Sequence, residues 1–240
     1  FEYIENQTPP LRSEERAQIM MPYLQGLWSL NEFQWGARFT GLFNFNSEFT
    51  GTTFSGKEVK GTNHHSIWEF EFLGTYYWTV RLKILLGFGY HYWDRFLNGE
   101  KGYREIYTWY FLNAGVEYEY FTNGDWELSA RLNVRQMILG KINIIFSETY
   151  DGGDDTELDL GNKIGYNWAF PVRWYYSGRE KNSIESKGLE FVPWYGVSEI
   201  GESNIKYNST QLSSGILGSI REPSSRTQEL GIGIAFFAQY

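Results

Sequence analysis

From about residue 31 to its last residue the chain alternates apolar and polar positions with a period of two. That period belongs to strands, because successive side chains leave a strand on opposite faces. In "NEFQWGARFTGLFNFNSEF" the residues Phe33, Trp35, Ala37, Phe39, Phe43 and Phe45 alternate with Glu32, Gln34, Arg38, Thr40, Asn44, Asn46 and Glu48. In "WELSARLNVRQMIL" Trp126, Leu128, Ala130, Leu132 and Val134 alternate with Glu127, Arg131, Asn133 and Arg135. The chain closes on "ELGIGIAFFAQY", where Leu230, Ile232, Ile234, Phe236, Ala238 and Tyr240 share one face. Termini usually fray and are polar; this one is written for burial in something apolar.

Composition says where such a face can go. Aromatic residues make up 19% of the chain, with 10 Trp, 18 Tyr and 18 Phe. Mean hydropathy is nevertheless −0.44, so the apolar mass is interleaved with polar residues. No run of 18 uncharged apolar residues exists, which excludes a transmembrane helix but not strands that cross a bilayer half-apolar. The chain begins at Phe1 without a basic-plus-apolar leader, which fits a removed signal peptide or a late start. It has no cysteine, hence no disulfide framework and no thiolate chemistry. The net charge is −8 and no long basic run appears, so nucleic acid is not an expected partner.

The pattern predicts eight strands, centred near residues 40, 69, 84, 112, 134, 169, 193 and 234. Turn signals are "LGTY" (73–76), "LNGEKG" (97–102) and "TNGD" (122–125). Polar stretches at 51–65, 147–161 and 201–226 read as long loops, gathered on the side opposite the short turns. Residues 1–30 carry Pro9, Pro10 and a candidate N-cap at Ser13, then a short helix-like stretch interrupted by Pro22. They are set apart as an N-terminal extension, with 31–240 as the β domain. A strand within 201–218, paired with one from 18–30, would raise the count to ten; twelve is the upper alternative. On the third strand Tyr76 and Trp78 bracket an aliphatic middle with Tyr90 and Tyr92. Trp78 to Tyr90 spans about 40 Å of strand, or roughly 28 Å of height at a 45° tilt, close to a ~25 Å apolar band between two aromatic girdles.

With that spacing and the ending "IGIAFFAQY", the chain resembles bacterial outer-membrane β-barrel proteins, similar in size to the small OmpA/OmpX-type barrels. The resemblance implies an all-β, closed antiparallel transmembrane barrel in the bacterial outer membrane, with residues 1–30 in the periplasm. It also implies that Tyr240 and Phe236 are read by the barrel-assembly machinery, and that outer-membrane lipid and lipopolysaccharide surround the wall. It brings no cofactor. A soluble lipocalin-like barrel would alternate too, but with its apolar face inward.

Three groups of residues are candidate sites. The first is the polar face itself: Glu69, Glu71, Arg81, Lys83, Glu117, Glu119, Glu127, Arg131, Arg135, Arg173, Glu190 and Glu229. An eight-stranded barrel is just wide enough to be filled by side chains, and buried charges must be paired. A plugged lumen is therefore expected, with a narrow polar pore as the alternative. The second is "NHHSIW", where His64 and Ser66 share a strand face. Such a pair resembles the His/Ser arrangement of outer-membrane lipid hydrolases, where His acts as base for Ser. No Asn follows the Ser and no third member is evident, so a polar strand end is the favoured reading and no enzyme is expected. The third is "DGGDDTELD", where Asp151, Asp154 and Asp155 could offer oxygen ligands to Ca²⁺, without EF-hand spacing. The expected role is a monomeric wall that displays loops 50–65, 147–161 and 201–226 to an extracellular partner.

Overall fold

The computed structural model describes all residues except 1, 7–12, 19–21, 31, 53–56, 98–101, 149–153, 178–185, 208–210, 213–214, 217–219 and 240. The strands are β1 Glu2–Asn6, β2 Ser13–Arg16, β3 Tyr23–Leu30, β4 Phe33–Thr52, β5 Glu58–Tyr77, β6 Leu82–Phe96, β7 Arg104–Asn123 and β8 Trp126–Ile145. They continue as β9 Thr156–Asp159, β10 Lys163–Ala169, β11 Val172–Ser177, β12 Ser186–Ile200, β13 Gln211–Leu212, β14 Gly215–Ile216 and β15 Ser224–Gln239. The fold is all-β and antiparallel. Thirteen strands form one sheet, and β13 and β14 pair as a small hairpin.

The ladder runs full circle. β4 to β8 pair in chain order, β8 pairs β10 and β11, both of these pair β12, and β12 pairs β15. β15 pairs β1, β1 pairs β2, and β2 returns to β4. The result is a ring of ten strands, counting β10 and β11 as one interrupted strand, in place of the eight expected. The additional members come from residues 2–16, which the sequence reading set apart as an extension. Their strand signal was hidden because they turn charge, not apolar side chains, to the inside: Glu5 and Glu15 are buried there. No helix occurs among the described residues; β3 takes up residues 23–30 and pairs with β4.

The ends of the ring differ. At the lower end β3–β4, β5–β6 and β7–β8 join through short turns. At the upper end lie the longer connections after β4, β6, β8 and β12. The β5–β6 turn is at 78–81, not at 73–76. Thr79 holds it: Oγ1 accepts from the Arg81 and Leu82 amides at 3.2 and 3.0 Å. A four-residue connection preserves parity, so even-numbered residues point outward on both strands and the two read as one uninterrupted alternation. Stretches 51–65 and 201–226 are likewise not simple loops. β5 begins at Glu58 and β15 at Ser224, while β9 lies within 147–161 and pairs with β8.

In the upper half of the ring parity breaks at two bulges. In β4 the register jumps between Leu42 and Phe45, so Phe45 turns inward and stacks on His65 at 4.8 Å instead of joining Phe39 outside. In β8 the extra residue is Ile138, opposite the Tyr110/Phe111 step. Beyond it the even residues Ile142 and Ile144 face in. A bulge inserts one residue into one strand and so reverses which face follows. The β8 inversion adds Ile142 and Ile144 to the apolar core, which sits toward the upper end and also holds Phe111, Met137, Phe146, Leu158 and Ile220.

The wall is inverted relative to a soluble domain. Phe33, Trp35, Phe72, Leu86, Leu112, Tyr118, Trp168 and Phe191 are exposed on the outside, whereas Glu71, Arg95, Glu117 and Glu127 are buried inside. The interior is filled closely enough that glycine is required where strands and side chains crowd. A Cβ on Gly89 would meet the Phe70 carbonyl at 2.6 Å. One on Gly231 would meet Trp194 Cε2 at 2.8 Å, which explains why the inward face of the last strand is so small. Gly74, in contrast, would meet only the Leu86 carbonyl at 3.8 Å. Gly89→Ala should therefore destabilise by about 1–3 kcal/mol through overpacking, and Gly74→Ala should stay within about 0.5 kcal/mol. Urea unfolding of the protein refolded in lipid vesicles measures both; equal midpoints would contradict a filled interior.

Candidate functional site

Cross-strand register places the inward charges beside opposite signs. Lys83 on β6, Glu117 on β7 and Arg131 on β8 are direct neighbours. So are Glu127 on β8, Arg173 on β11 and Glu190 on β12. The side chains of these six residues form the lower tier of the lumen. Glu117 is bound by Lys83 Nζ at 3.1 Å, Arg131 Nη2 at 2.5 Å and Arg173 Nη1 at 2.8 Å. Arg173 also reaches Glu127 and Glu190, each at 2.5 Å, and the Tyr175 hydroxyl donates to Glu127 Oε2 at 2.9 Å.

The middle tier joins Glu69, Glu71 and Arg135 to residues that sequence reading did not single out. Arg135 Nη1 lies 2.7 Å from Glu69 Oε2, and His91 Nδ1 donates to the same oxygen at 3.0 Å. His91 stacks on Trp109 at 3.9 Å, and Lys163 Nζ sits over that indole, also at 3.9 Å. Glu71 accepts from Asn113 Nδ2 at 2.9 Å through Oε1. Its Oε2 accepts no hydrogen bond and is compensated by Arg38 and Arg135 nitrogens at 3.9 and 3.8 Å.

The upper tier centres on Arg95, which is fully buried. Its guanidinium contacts Glu15, and its Nη1 reaches Glu5 at 2.8 Å and Glu105 at 2.7 Å. Tyr3 lies under it, 5.0 Å from the ring centre. The Tyr107 hydroxyl bridges Glu105 Oε2 at 3.0 Å and Glu222 Oε1 at 2.7 Å. Each carboxylate has a second donor: Arg95 Nη1 to Glu105 Oε2 at 2.7 Å and the Tyr3 hydroxyl to Glu222 Oε1 at 3.5 Å. Glu222 sits in the connection before β15. Burial, with Glu105 and Glu5 close by, pushes its carboxyl well above the ordinary carboxylate range.

A Ser–His–Glu group stands beside Arg95. Trp93 Nε1 donates to His65 Nδ1 at 3.0 Å, so the ring's proton sits on Nε2. That nitrogen lies 3.0 Å from Glu15 Oε2 and 2.8 Å from Ser47 Oγ, and Ser47 Oγ donates to Glu15 at 2.7 Å. A general base must accept the nucleophile's proton. Here the facing nitrogen already carries one and Ser47 directs its own to Glu15. The geometry is that of a buried hydrogen-bond network.

The remaining sequence candidates are scattered. Arg81 is exposed in the β5–β6 turn, and Glu119 lies near the lower end of β7. Glu229 faces inward on β15. His64 and Ser66 lie on the outer face of β5, where His64 Nδ1 pairs with Asn46 Oδ1. Asp155 caps the end of β8: Oδ1 accepts from the Phe146 and Ser147 amides and Oδ2 from Ser147 Oγ, all at 3.0 Å. Both of its oxygens are thereby committed to the turn. Asp154 is exposed, and Asp151 lies outside the described residues. Among the described residues no group of three or more His, Cys, Asp or Glu is arranged to hold a metal ion. Phe236 is exposed near the lower end of β15, and Tyr240 lies outside the described residues. The signal that would have found Arg95 and His91 is parity: both share the odd-numbered face of β6 with Lys83.

No family model matches the sequence, and no curated protein matches it. Among solved structures it is similar to the outer membrane transporter YddB from Escherichia coli, at 10% identity and a TM-score of 0.30. That match covers 97% of this chain and 35% of the transporter chain. So distant a likeness carries no argument about this chain.

Two outcomes test the upper tier. Arg95→Met leaves Glu5, Glu15 and Glu105 buried without their cation and should cost about 3–5 kcal/mol, read from urea midpoints at neutral pH. Glu222 binds its proton more tightly folded than unfolded. Its contribution is therefore full below the unfolded carboxyl value, about 4.3, and is lost as pH rises toward the folded value. Glu222→Gln should flatten that fall. A midpoint-against-pH curve unchanged by the substitution would show that Glu222 ionises normally.

Proposed function

We propose that this chain is an integral outer-membrane β-barrel whose lumen is plugged by paired side chains and whose upper connections are displayed for binding. The inverted wall carries the reading. A soluble monomer rarely exposes a large contiguous apolar patch, and here exposed Trp, Tyr, Phe, Leu and Ile encircle a ring whose charges are inside. A bilayer is the solvent that such a wall matches, and strands paired round the ring satisfy one another's backbone hydrogen bonds there. Lipid and lipopolysaccharide are then the lateral neighbours, and the terminal strand would be presented to the barrel-assembly machinery.

The plug is supported by the three tiers and by the apolar core that caps them. The cap is drawn from several connections. Leu158 of β9 packs against Ile142, and the segment after β12 is tied across by Ser203 N to the Glu222 carbonyl at 3.0 Å. The upper loops thus stand on an ordered base, the arrangement that lets a rigid scaffold present variable surface. His64 and Ser66 have no catalytic part in this reading.

One experiment tests location and lumen together. Tyr207 and Val80 are 88% and 91% exposed at opposite ends of the ring. On intact cells an impermeant maleimide should label Tyr207→Cys and spare Val80→Cys, and the purified protein should give no steady conductance in planar bilayers. Labelling of both positions or of neither would remove the membrane-spanning reading. Openings whose ion selectivity changes with Arg131→Ala would replace the plug by a pore.

A further inference from the structure

The ring closes differently at its two ends. β2 and β3 both pair the same edge of β4, β2 through Glu48–Gly51 and β3 through Phe33–Thr40. β15 pairs β12 along its length, but its other edge pairs β1 only through Ser224–Gln228. In the upper half β1 therefore fills the place between β2 and β15. Below Glu2 the same place, between β3 and residues 229–239 of β15, holds no strand among the described residues.

Direction shows that the two edges are not each other's partners. Every ladder is antiparallel, so following the ring from β4 round to β15 makes β15 run downward, and β3, antiparallel to β4, also runs downward. Direct closure would make a parallel pair, the one such pair in the sheet. A wholly antiparallel closed ring needs an even number of strands. The upper end has ten and the lower end has nine, and an upward strand supplies the difference.

Exposure marks the same place independently. Leu24 on β3 and Leu230 and Phe236 on β15 are 78%, 80% and 82% exposed. Leu86, Leu112 and Val116, outward on strands with neighbours on both sides, are lower at 60%, 51% and 45%. Unpaired backbone groups in hydrocarbon cost several kcal/mol each, so these edges require a hydrogen-bonding partner.

We infer that one further strand occupies this place, running upward between β3 and β15 and leading directly into β1, so that its source is the polypeptide immediately upstream of Phe1. Continuity argues for that source: β1 already bridges β2 and β15 and enters the gap in line. The strand would present apolar side chains level with Leu24 and Leu230, and small or polar ones inward beside Gln25, Gly233 and Ala235. About nine residues suffice for a tilted membrane strand.

Disulfide trapping in vesicles tests this. In the 240-residue chain, Leu24→Cys combined in turn with Leu230→Cys, Ile232→Cys or Ile234→Cys should form no disulfide on oxidation. A disulfide in any pair would show that the edges meet directly and would overturn the inference. The second arm joins an alternating segment of about nine residues, with one outward cysteine, ahead of Phe1. It should crosslink to Leu24→Cys and, separately, to Ile232→Cys, and raise the unfolding midpoint. Failure to reach either edge would equally overturn the inference, and neither arm depends on whether the lumen conducts.

Discussion

Charge and register form a single constraint in this molecule. Arg and Glu side chains point into a ring from which water is largely excluded, and each is tolerable only beside a partner of opposite sign. The ladder sets who that partner is. Lys83, Glu117 and Arg131 are consecutive across β6, β7 and β8, and Glu127, Arg173 and Glu190 across β8, β11 and β12. A slip of one residue on any of these strands would send its charges to the apolar outside and its aromatics into the lumen. The outer aromatic face and the inner ionic face are therefore consequences of the same pairing.

The tiers differ in how their charge is balanced. In the lower one, three cations interleave with three carboxylates. In the upper one, Glu5, Glu15 and Glu105 share the single cation Arg95, and Glu222 accepts from the hydroxyls of Tyr3 and Tyr107. Bulges in β4 and β8 shape the surroundings of the upper tier. By reversing parity above Leu42 and at Ile138 they turn Phe45, Ser47, Ile142 and Ile144 inward, beneath the connections that form the cap. The part of the ring that bears the binding loops in our proposal is thus the part where the simple alternation is broken.

Much of the wall was legible as sequence. The tracts from Trp68 to Tyr118 keep one parity through two strand pairs, so their outward and inward sets could be read directly, and with them the charges at Glu69, Lys83, Glu117 and Arg131. What was illegible has identifiable causes. β1 and β2 are short and turn Glu5 and Glu15 inward, which imitates a polar tail. The parity-preserving turn at 78–81 left no break to see. In "NHHSIW" attention went to His64, on the outer face, whereas His65 is the networked one; parity with Glu69 would have identified it. Asp155 resembled a metal ligand because a turn cap and a ligand use the same carboxylate oxygens.

Taken alone, the sequence determined the period of two, and so strands with one apolar and one charged face. That is a local property, set by the side-chain geometry of each strand. Closure was decided only in three dimensions: how many strands, which edges meet, which glutamate each arginine holds, and where the ring lacks a strand. Those depend on pairing between residues such as Tyr3 and Thr227, far apart in the chain. A ladder's register is a property of two strands at once, and no local pattern specifies it.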